Sequence, residues 1–141
     1  MEPLPQPVKD FIAAARVCRI ATVRPGGAPH VIPVCPAFDG EATLYVDVAT
    51  GGVSAAGVRS TPKVTAIVDE YDDDWSKLRA VILRCRAEPI AGEELDGAWD
   101  MIRAKFPQYG SVGWEPRFTL ALRIEGWTQW GLTGALSYDP D

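Results

Sequence analysis

The 141-residue chain has little of several residue types that mark particular classes of protein. It contains one histidine and three cysteines with no C-x-x-C spacing, which argues against a zinc site and against a disulfide framework. An odd number of free thiols suits a reducing compartment, so we expect a cytoplasmic protein. The net charge is −5 and no stripe of lysines and arginines is present, so nucleic acid is not an expected partner.

Long apolar runs are also absent. No stretch approaches the roughly 20 apolar residues that span a bilayer, so no membrane partner is expected. The opening MEPLPQPVKD has no apolar core preceded by positive charge and is not predicted to be a secretory signal. Apolar residues nevertheless make up 47% of the sequence, which is enough for one packed core. We therefore expect a single domain over 1–141, with an extended lead-in at 1–7 and a tail at 132–141.

Short segments with the pattern of β-strands dominate what is present. Helical spacing of apolar residues predicts helices only at 8–17 and 92–109, with a short one in the glycine-rich stretch 51–62. Turn residues such as Gly26-Gly27 separate the segments between them. The six predicted strands cover 18–23, 30–34, 43–48, 63–71, 79–90 and 117–131.

Six strands joined mostly by tight turns, with few helices, predict a small antiparallel barrel that is closed or partly closed. Pro33 lacks a backbone N–H, so the second strand should lie at an edge or be bulged there. The sixth strand alternates, with residues such as Phe118 and Leu120 on one side and Thr119 and Arg123 on the other. That alternation predicts a half-buried strand.

The acidic run DEYDDD, residues 69–74, allows three readings: a metal site, a catalytic cluster or a polar connection. Strand alternation sends Asp69 and Glu70 to opposite faces, so the acids cannot all converge. Calcium loops also need spaced ligands and a central glycine, which this run lacks. An aspartate among 72–74 can instead cap a helical turn at WSKL. We therefore predict a capped turn and no metal site.

Several segments resemble one known family. CRIATVRPGGAPHVIPV, STPKVTAIVDEYDDDWSKL, KFPQY and WTQW follow one another as in the pyridoxamine-phosphate-oxidase-like split barrels, which bind FMN or the deazaflavin F420. The second segment is similar to the F420-dependent subgroup, and the resemblance covers 8–131. It implies a six-stranded antiparallel split β-barrel, mainly β with flanking helices. It also implies a homodimer with two flavin-type sites at the subunit interface.

The resemblance further implies which residues lie near the cofactor. The segment HVIPV, residues 30–34, is expected beside the flavin ring. The family's phosphate-binding segment corresponds to 54–62, where Ser54 and Ala56 replace two cations and Arg59 remains. The expected cofactor-binding residues are His30, Val31, Pro33, Val34, Thr50, Ser54, Arg59, Trp75, Lys77 and Arg79.

Direct chemical roles for side chains have few candidates. His30 is the only histidine and hence the candidate general acid, but no second acid or nucleophile lies beside it in the sequence. We interpret it as a residue that lines the site. Cys18, Cys35 and Cys85 lie in apolar segments typical of buried cysteines, and Cys35, next to Pro36, should be the most exposed.

The family resemblance implies an oxidoreductase that uses F420 or FMN to move a hydride to or from a small planar or unsaturated substrate. The subgroup resemblance favours F420 over FMN. The two lost cations keep a second reading open, in which the barrel has no cofactor and binds or transforms a small hydrophobic ligand without redox chemistry. A third reading is a protein that binds or stores flavin or haem without turnover.

Overall fold

The computed structural model describes residues 1–134, which form one curled antiparallel sheet with flanking helices. The strands are β1 (Cys18–Val23), β2 (Pro29–Val34), β3 (Ala37–Phe38), β4 (Thr43–Val48), β5 (Lys63–Glu70), β6 (Arg79–Pro89) and β7 (Phe118–Trp130). The helices are α1 (Gln6–Ala14), α2 (Val53–Ser60), α3 (Gly92–Lys105) and α4 (Gln108–Ser111). The strand order is β2-β1-β5-β6-β7-β4-β3. Most of the predicted tail, 135–141, lies outside the described residues.

The fold confirms the predicted split barrel, with seven strands where six were expected. The additional strand is β3, whose two residues are too short to show any alternation in the sequence. It pairs with β4 and ends the sheet on that side. Pro33 lies on β2, the opposite edge of the sheet, so the prediction made from its missing N–H is confirmed.

The inward faces of the strands form the main core together with α1. Ile20, Leu83 and Leu120 are completely buried there, and α1 adds Val8 and Ile12. The predicted lead-in is more ordered than an extended segment, because the helix already begins at residue 6. Proline is tolerated in the first turn of a helix, since its missing N–H has no partner there in any case.

The first half of β7 is buried on both faces, so the prediction of a half-buried strand is wrong there. Leu120 faces the main core, whereas Thr119 and Ala121 lie beneath α3 in a second core built around Trp99 and Ile102. The indole N–H of Trp99 donates a hydrogen bond to Thr119 Oγ1 at 2.9 Å. Small side chains on this face of the strand leave room for a helix.

An ion pair fixes the first turn of α3 to the sheet. Arg123 donates to both carboxylate oxygens of Glu94, at 2.7 and 2.8 Å, and its Nε donates to Glu88 at 3.1 Å. The Tyr45 hydroxyl also donates to Glu94, at 2.8 Å. The hydrogen bonds from Arg123 and then from Tyr45 lower the pKa of Glu94. The carboxylate therefore stabilises the fold in its ionised form.

We expect this contribution to disappear in acid. Because folding lowers the pKa of Glu94, its stabilising effect is complete above the ordinary glutamate pKa of 4.5 and is lost as the pH falls through the lower folded value. Urea unfolding of the wild type and Glu94→Gln should therefore give free energies that differ at pH 7 and converge as the pH falls through the folded pKa of Glu94. Glu93→Gln is the control, since Glu93 forms no ion pair within residues 1–134. A gap between Glu94→Gln and wild type that stays constant with pH would contradict this account.

Candidate functional site

The acidic run forms separate local contacts. Asp69 pairs with Arg19 across to β1, at 3.2 Å. Asp74 accepts a hydrogen bond from the backbone N–H of Ser76 at 3.1 Å and caps the single 3-10 turn Trp75–Lys77, which confirms the predicted cap. Among residues 1–134, no three histidine, cysteine, aspartate or glutamate side chains are grouped in a way that could hold a metal ion.

The ten predicted cofactor-binding residues lie in three places. One group is on the edge strand β2, one is on α2 and the loop before it, and one follows β5. The N-terminal end of β5 is the end nearest α2, and the third group begins beyond its other end. The seven residue steps from Lys63 to Glu70 span about 23 Å. One subunit therefore does not bring the three groups into one site.

The four predicted residues of β2 are divided between the two faces of the sheet. His30 lies opposite the buried Thr22 and, like Val34, faces inward. Val31 and Pro33 alternate with them and face outward, and Val31 is 60% exposed. The His30 imidazole forms no hydrogen bond within the described residues. A ligand on the outer face would contact Val31 and Pro33 but not the His30 side chain.

The predicted residues on α2, Arg59 and Ser54, differ in their contacts and burial. The Arg59 guanidinium donates to the carbonyl oxygen of Thr50 at 3.2 Å and stacks on the Phe118 ring at 4.3 Å. Ser54 is 4% exposed, and its hydroxyl has no partner among residues 1–134. Contact between a phosphate and Ser54 would therefore require a change of conformation at α2, whereas the exposed Arg59 guanidinium has no ion-pair partner within residues 1–134 and retains further N–H donors.

The third group lies around the connection from β5 to β6. Lys77 and Arg79 line a pocket of about 580 Å³. Arg79 is paired with Glu70 and lies over the Phe11 ring at 5.2 Å. Trp75 is 59% exposed, and its indole N–H donates to the hydroxyl of Tyr71 at 3.4 Å. Lys77 and Arg79 thus lie in a polar surface pocket at the end of the sheet away from α2, and Trp75 lies outside its lining.

A further pocket, of about 560 Å³, lies over the outward face of β5 and contains none of the ten predicted residues. We call it the β5 pocket. Val23 and Pro29 border it on the side of β1 and β2, and Lys63, Thr65 and Arg84 border it on β5 and β6. The Lys63 ammonium has neither an ion-pair partner nor a hydrogen-bond partner within residues 1–134. It is therefore available to an anionic ligand.

Arg84 is held flat against β7. Its guanidinium donates to Thr128 Oγ1 at 3.2 Å and to the carbonyl oxygen of Trp127 at 3.4 Å. A Cβ atom at position 126 would lie 2.7 Å from the Arg84 Nη2 atom, so Gly126 leaves the space that the guanidinium occupies. The β-bulge between Arg84 and Cys85 lies at this point. Both acceptors are neutral, and Glu125, which lines the same pocket, forms no ion pair with Arg84.

The sequence held a partial signal for the β5 pocket. Lys63 and Thr65 alternate with the buried Val64, and Arg84 and Arg86 alternate with the buried Cys85. This pattern places both polar sets on the outer face of the sheet. It does not show that the two sets are neighbours, which depends on the pairing of β5 with β6.

The β5 pocket suits a planar group that carries a phosphate. Two cations and the Thr65 hydroxyl supply the donors that a phosphate needs. On the side of β1 and β2, Val23, Pro29 and the neighbouring Val31 offer an apolar surface for a ring. The residues present therefore fit a flavin-type cofactor, on the basis of this donor set.

The cysteines offer no reactive thiol in the core. Cys18 and Cys85 are buried, and burial raises the pKa of each thiol to about 12. Both stay protonated near neutral pH and act as small apolar side chains. Cys35 is partly exposed, which confirms the prediction that it is the most accessible of the three.

Comparison with protein families gives one clear match. A family model described as pyridoxamine 5′-phosphate oxidase matches residues 4–131. No match is found among curated proteins. The helices of residues 1–134 are too short or too polar to span a bilayer.

Solved structures share the fold at low sequence identity. A heme binding protein from Mycobacterium smegmatis is 16% identical over 97% of this chain and 58% of its own, with a TM-score of 0.76. A protein of unknown function from Agrobacterium tumefaciens is 21% identical over 89% of this chain and 55% of its own, also at 0.76. This chain thus spans little more than half the length of those two proteins. An FAD-binding protein from Mesorhizobium loti is 24% identical over 91% of this chain and 93% of its own, at 0.69.

Proposed function

The chain belongs to the pyridoxamine 5′-phosphate oxidase family, and we propose from this premise that it is a flavin- or deazaflavin-dependent oxidoreductase. Its reaction is the transfer of a hydride between the cofactor and a small planar or unsaturated substrate. The observation that carries the proposal is the β5 pocket, in which an unpaired lysine and a fixed arginine lie beside an apolar strip. The FAD-binding neighbour supports a flavin-type cofactor over an empty barrel.

Each part of the pocket has a separate task in this proposal. Lys63 and Arg84 hold the phosphate by charge-assisted hydrogen bonds, which are stronger than bonds between neutral groups. Val23 and Pro29 lie against the ring and keep water from that side. The bound cofactor supplies the redox chemistry, and the protein supplies orientation and electrostatics. Within the proposal, the subgroup resemblance of the segment 60–78 favours F420 over FMN.

We also propose a homodimer. The outward face of the sheet exposes Val31 and leaves Ile67 and Ile82 half-buried, an apolar surface that a second subunit would cover. A dimer is also the arrangement in which residues held apart in one subunit can contribute to one site. Light scattering should give twice the 15.3 kDa chain mass, and a monomer at working concentration would count against this part.

The proposal is tested by titrating the purified protein with F420, FMN, FAD and haemin. We expect a flavin or F420 to bind at micromolar concentration with a shifted absorption spectrum. Lys63→Ala should weaken that binding about 10- to 100-fold, because it removes a charge-assisted hydrogen bond worth roughly 1.5–3 kcal/mol.

Lys77→Ala is the matched control, since it removes another exposed lysine, beyond the other end of β5. Its affinity should stay within about twofold of wild type, because a group that makes no contact with the ligand contributes little. If Lys77→Ala is the variant that loses affinity, the cofactor binds at the β5–β6 connection. If haemin alone binds, or nothing does, the proposed oxidoreductase function is wrong.

A further inference from the structure

Lys63 lies directly opposite another cation. The pairing of β5 with β6 places Lys63 opposite Arg86, and Thr65 opposite Arg84. All four side chains face outward and are exposed. Residues directly opposite in an antiparallel pair have Cβ atoms about 5 Å apart, and diagonal neighbours lie about 7–8 Å apart. Lys63, Arg84 and Arg86 therefore form one compact group, which we call the cation patch.

The acids of the described chain compensate the charge of this patch only in part. Lys63 and Arg84 form no ion pair within residues 1–134. Arg86 reaches Glu88 only at 4.0 Å, and Glu88 is also held by Arg123 at 3.1 Å. Both partners of the Arg86 contact are about half exposed, so the contact contributes little. Glu125 also lines the β5 pocket beside Lys63 and Arg84 but forms no ion pair within residues 1–134, so the three cations still outnumber the two nearby carboxylates, Glu88 and Glu125.

This arrangement is costly without a ligand. Like charges directly opposite on a sheet destabilise it, and the chain as a whole carries a net charge of −5. Cations placed together on an acidic protein form a local surface that favours an anionic ligand. Three cations are too few for a nucleic acid, whose binding proteins contact about 6–10 phosphates. The patch fits a small molecule with more negative charge than one phosphate carries.

We propose that the cation patch binds two anionic groups of one ligand, with Lys63 and Arg84 on the first phosphate and Arg86 on the second group. Where the β5 pocket holds the proposed cofactor, that cofactor then carries an anionic chain beyond its first phosphate. The second group is the next phosphate of a dinucleotide such as FAD, or the carboxylates that follow the phosphate in F420. FMN, which ends at one phosphate, leaves Arg86 without a partner. The identity of the ligand as a cofactor rests on the proposed function, whereas the two-anion character of the patch does not.

The patch is tested first without any flavin, by calorimetric titration with inorganic phosphate and with pyrophosphate. Wild-type protein should bind pyrophosphate at least tenfold more tightly than phosphate. Arg86→Gln should remove this preference and leave phosphate binding unchanged, and Arg86→Lys should restore most of it. Arg103→Gln, which removes an exposed arginine on α3, should behave as wild type. Equal affinity for the two anions in wild type, or a preference that survives Arg86→Gln, overturns the proposal.

The second arm compares FMN, FAD and F420. We expect FAD or F420 to bind at least tenfold more tightly than FMN, and Arg86→Gln to abolish that ratio without weakening FMN. The stronger of the two ligands identifies the source of the second anionic group. If FMN binds as tightly as both, the inference is wrong and the proposed function stands. If no flavin binds but the pyrophosphate preference is found, the patch stands and the proposed function is wrong.

Discussion

Gly131→Ala should destabilise the protein by roughly 2–5 kcal/mol, because it combines backbone strain with a backbone collision. Gly131 follows β7 and has φ of +75°, a conformation that residues with a Cβ rarely adopt. A Cβ atom there would lie 1.9 Å from the carbonyl oxygen of Leu78 and 3.2 Å from the Cα atom of Arg79. Neither neighbour is a flexible side-chain end, so the start of β6 and the end of β7 must separate. Urea unfolding at a fixed protein concentration measures the loss.

Gly113→Ala separates the two causes. Gly113 has φ of +66° but no atom within 4 Å of its would-be Cβ, so only the strain applies, at a cost of about 1–2 kcal/mol. The difference between the two variants is then the collision with Leu78. Flavin affinity of the folded Gly131→Ala protein should be unchanged, since Gly131 does not line the β5 pocket. Equal losses for the two glycines would show that the contact at Leu78 relaxes freely.

The strands of this protein could be predicted because their signals are local. Alternating burial in Lys63–Glu70 and the turn at Gly26-Gly27 depend on neighbouring residues alone. The edge position of Pro33 follows from its missing N–H, and the cap at Asp74 follows from a side chain that bonds two residues on. Each of these features needs no knowledge of what packs against it.

The second core, in which α3 packs on β7, could not be predicted in the same way. Thr119 and Ala121 are small residues that alternate with Leu120, a pattern compatible with an exposed face, yet α3 covers them. The apolar face of α3 was visible in the sequence, but the strand on which it packs was not. Burial beneath a helix is a tertiary property, and small residues on a strand are compatible with both solvent and a helix.

The candidate site also depends on tertiary structure that the sequence pattern does not show. The family resemblance selected residues on β2, on α2 and after β5, and one subunit keeps these groups apart. The β5 pocket depends on the register in which Lys63 meets Arg86 and Thr65 meets Arg84. A shift of one residue would turn every one of these side chains to the other face. Charge neighbours of this kind appear only once the strands are paired.

Trp99→Ala should cost roughly 3–5 kcal/mol, the range for removing a buried tryptophan side chain from a core. Trp99 is 1% exposed and forms the centre of the second core beneath α3. Its indole N–H donates to Thr119 Oγ1, which in turn donates to Asp47 at 2.9 Å. Asp47, with a side chain 1% exposed, also accepts hydrogen bonds from Arg117. The substitution removes both the packing and the first link of this buried chain.

Two further tryptophan variants separate packing from hydrogen bonding. Trp99→Phe keeps most of the ring but removes the donor to Thr119, so it should cost about 1–3 kcal/mol. Trp75→Ala removes a tryptophan that is 59% exposed and should change stability by less than about 1 kcal/mol. Because no residue of α3 lines the β5 pocket, ligand affinity of folded Trp99→Phe should equal that of wild type. A loss for Trp99→Ala no larger than that for Trp75→Ala would mean that α3 contributes little to the fold.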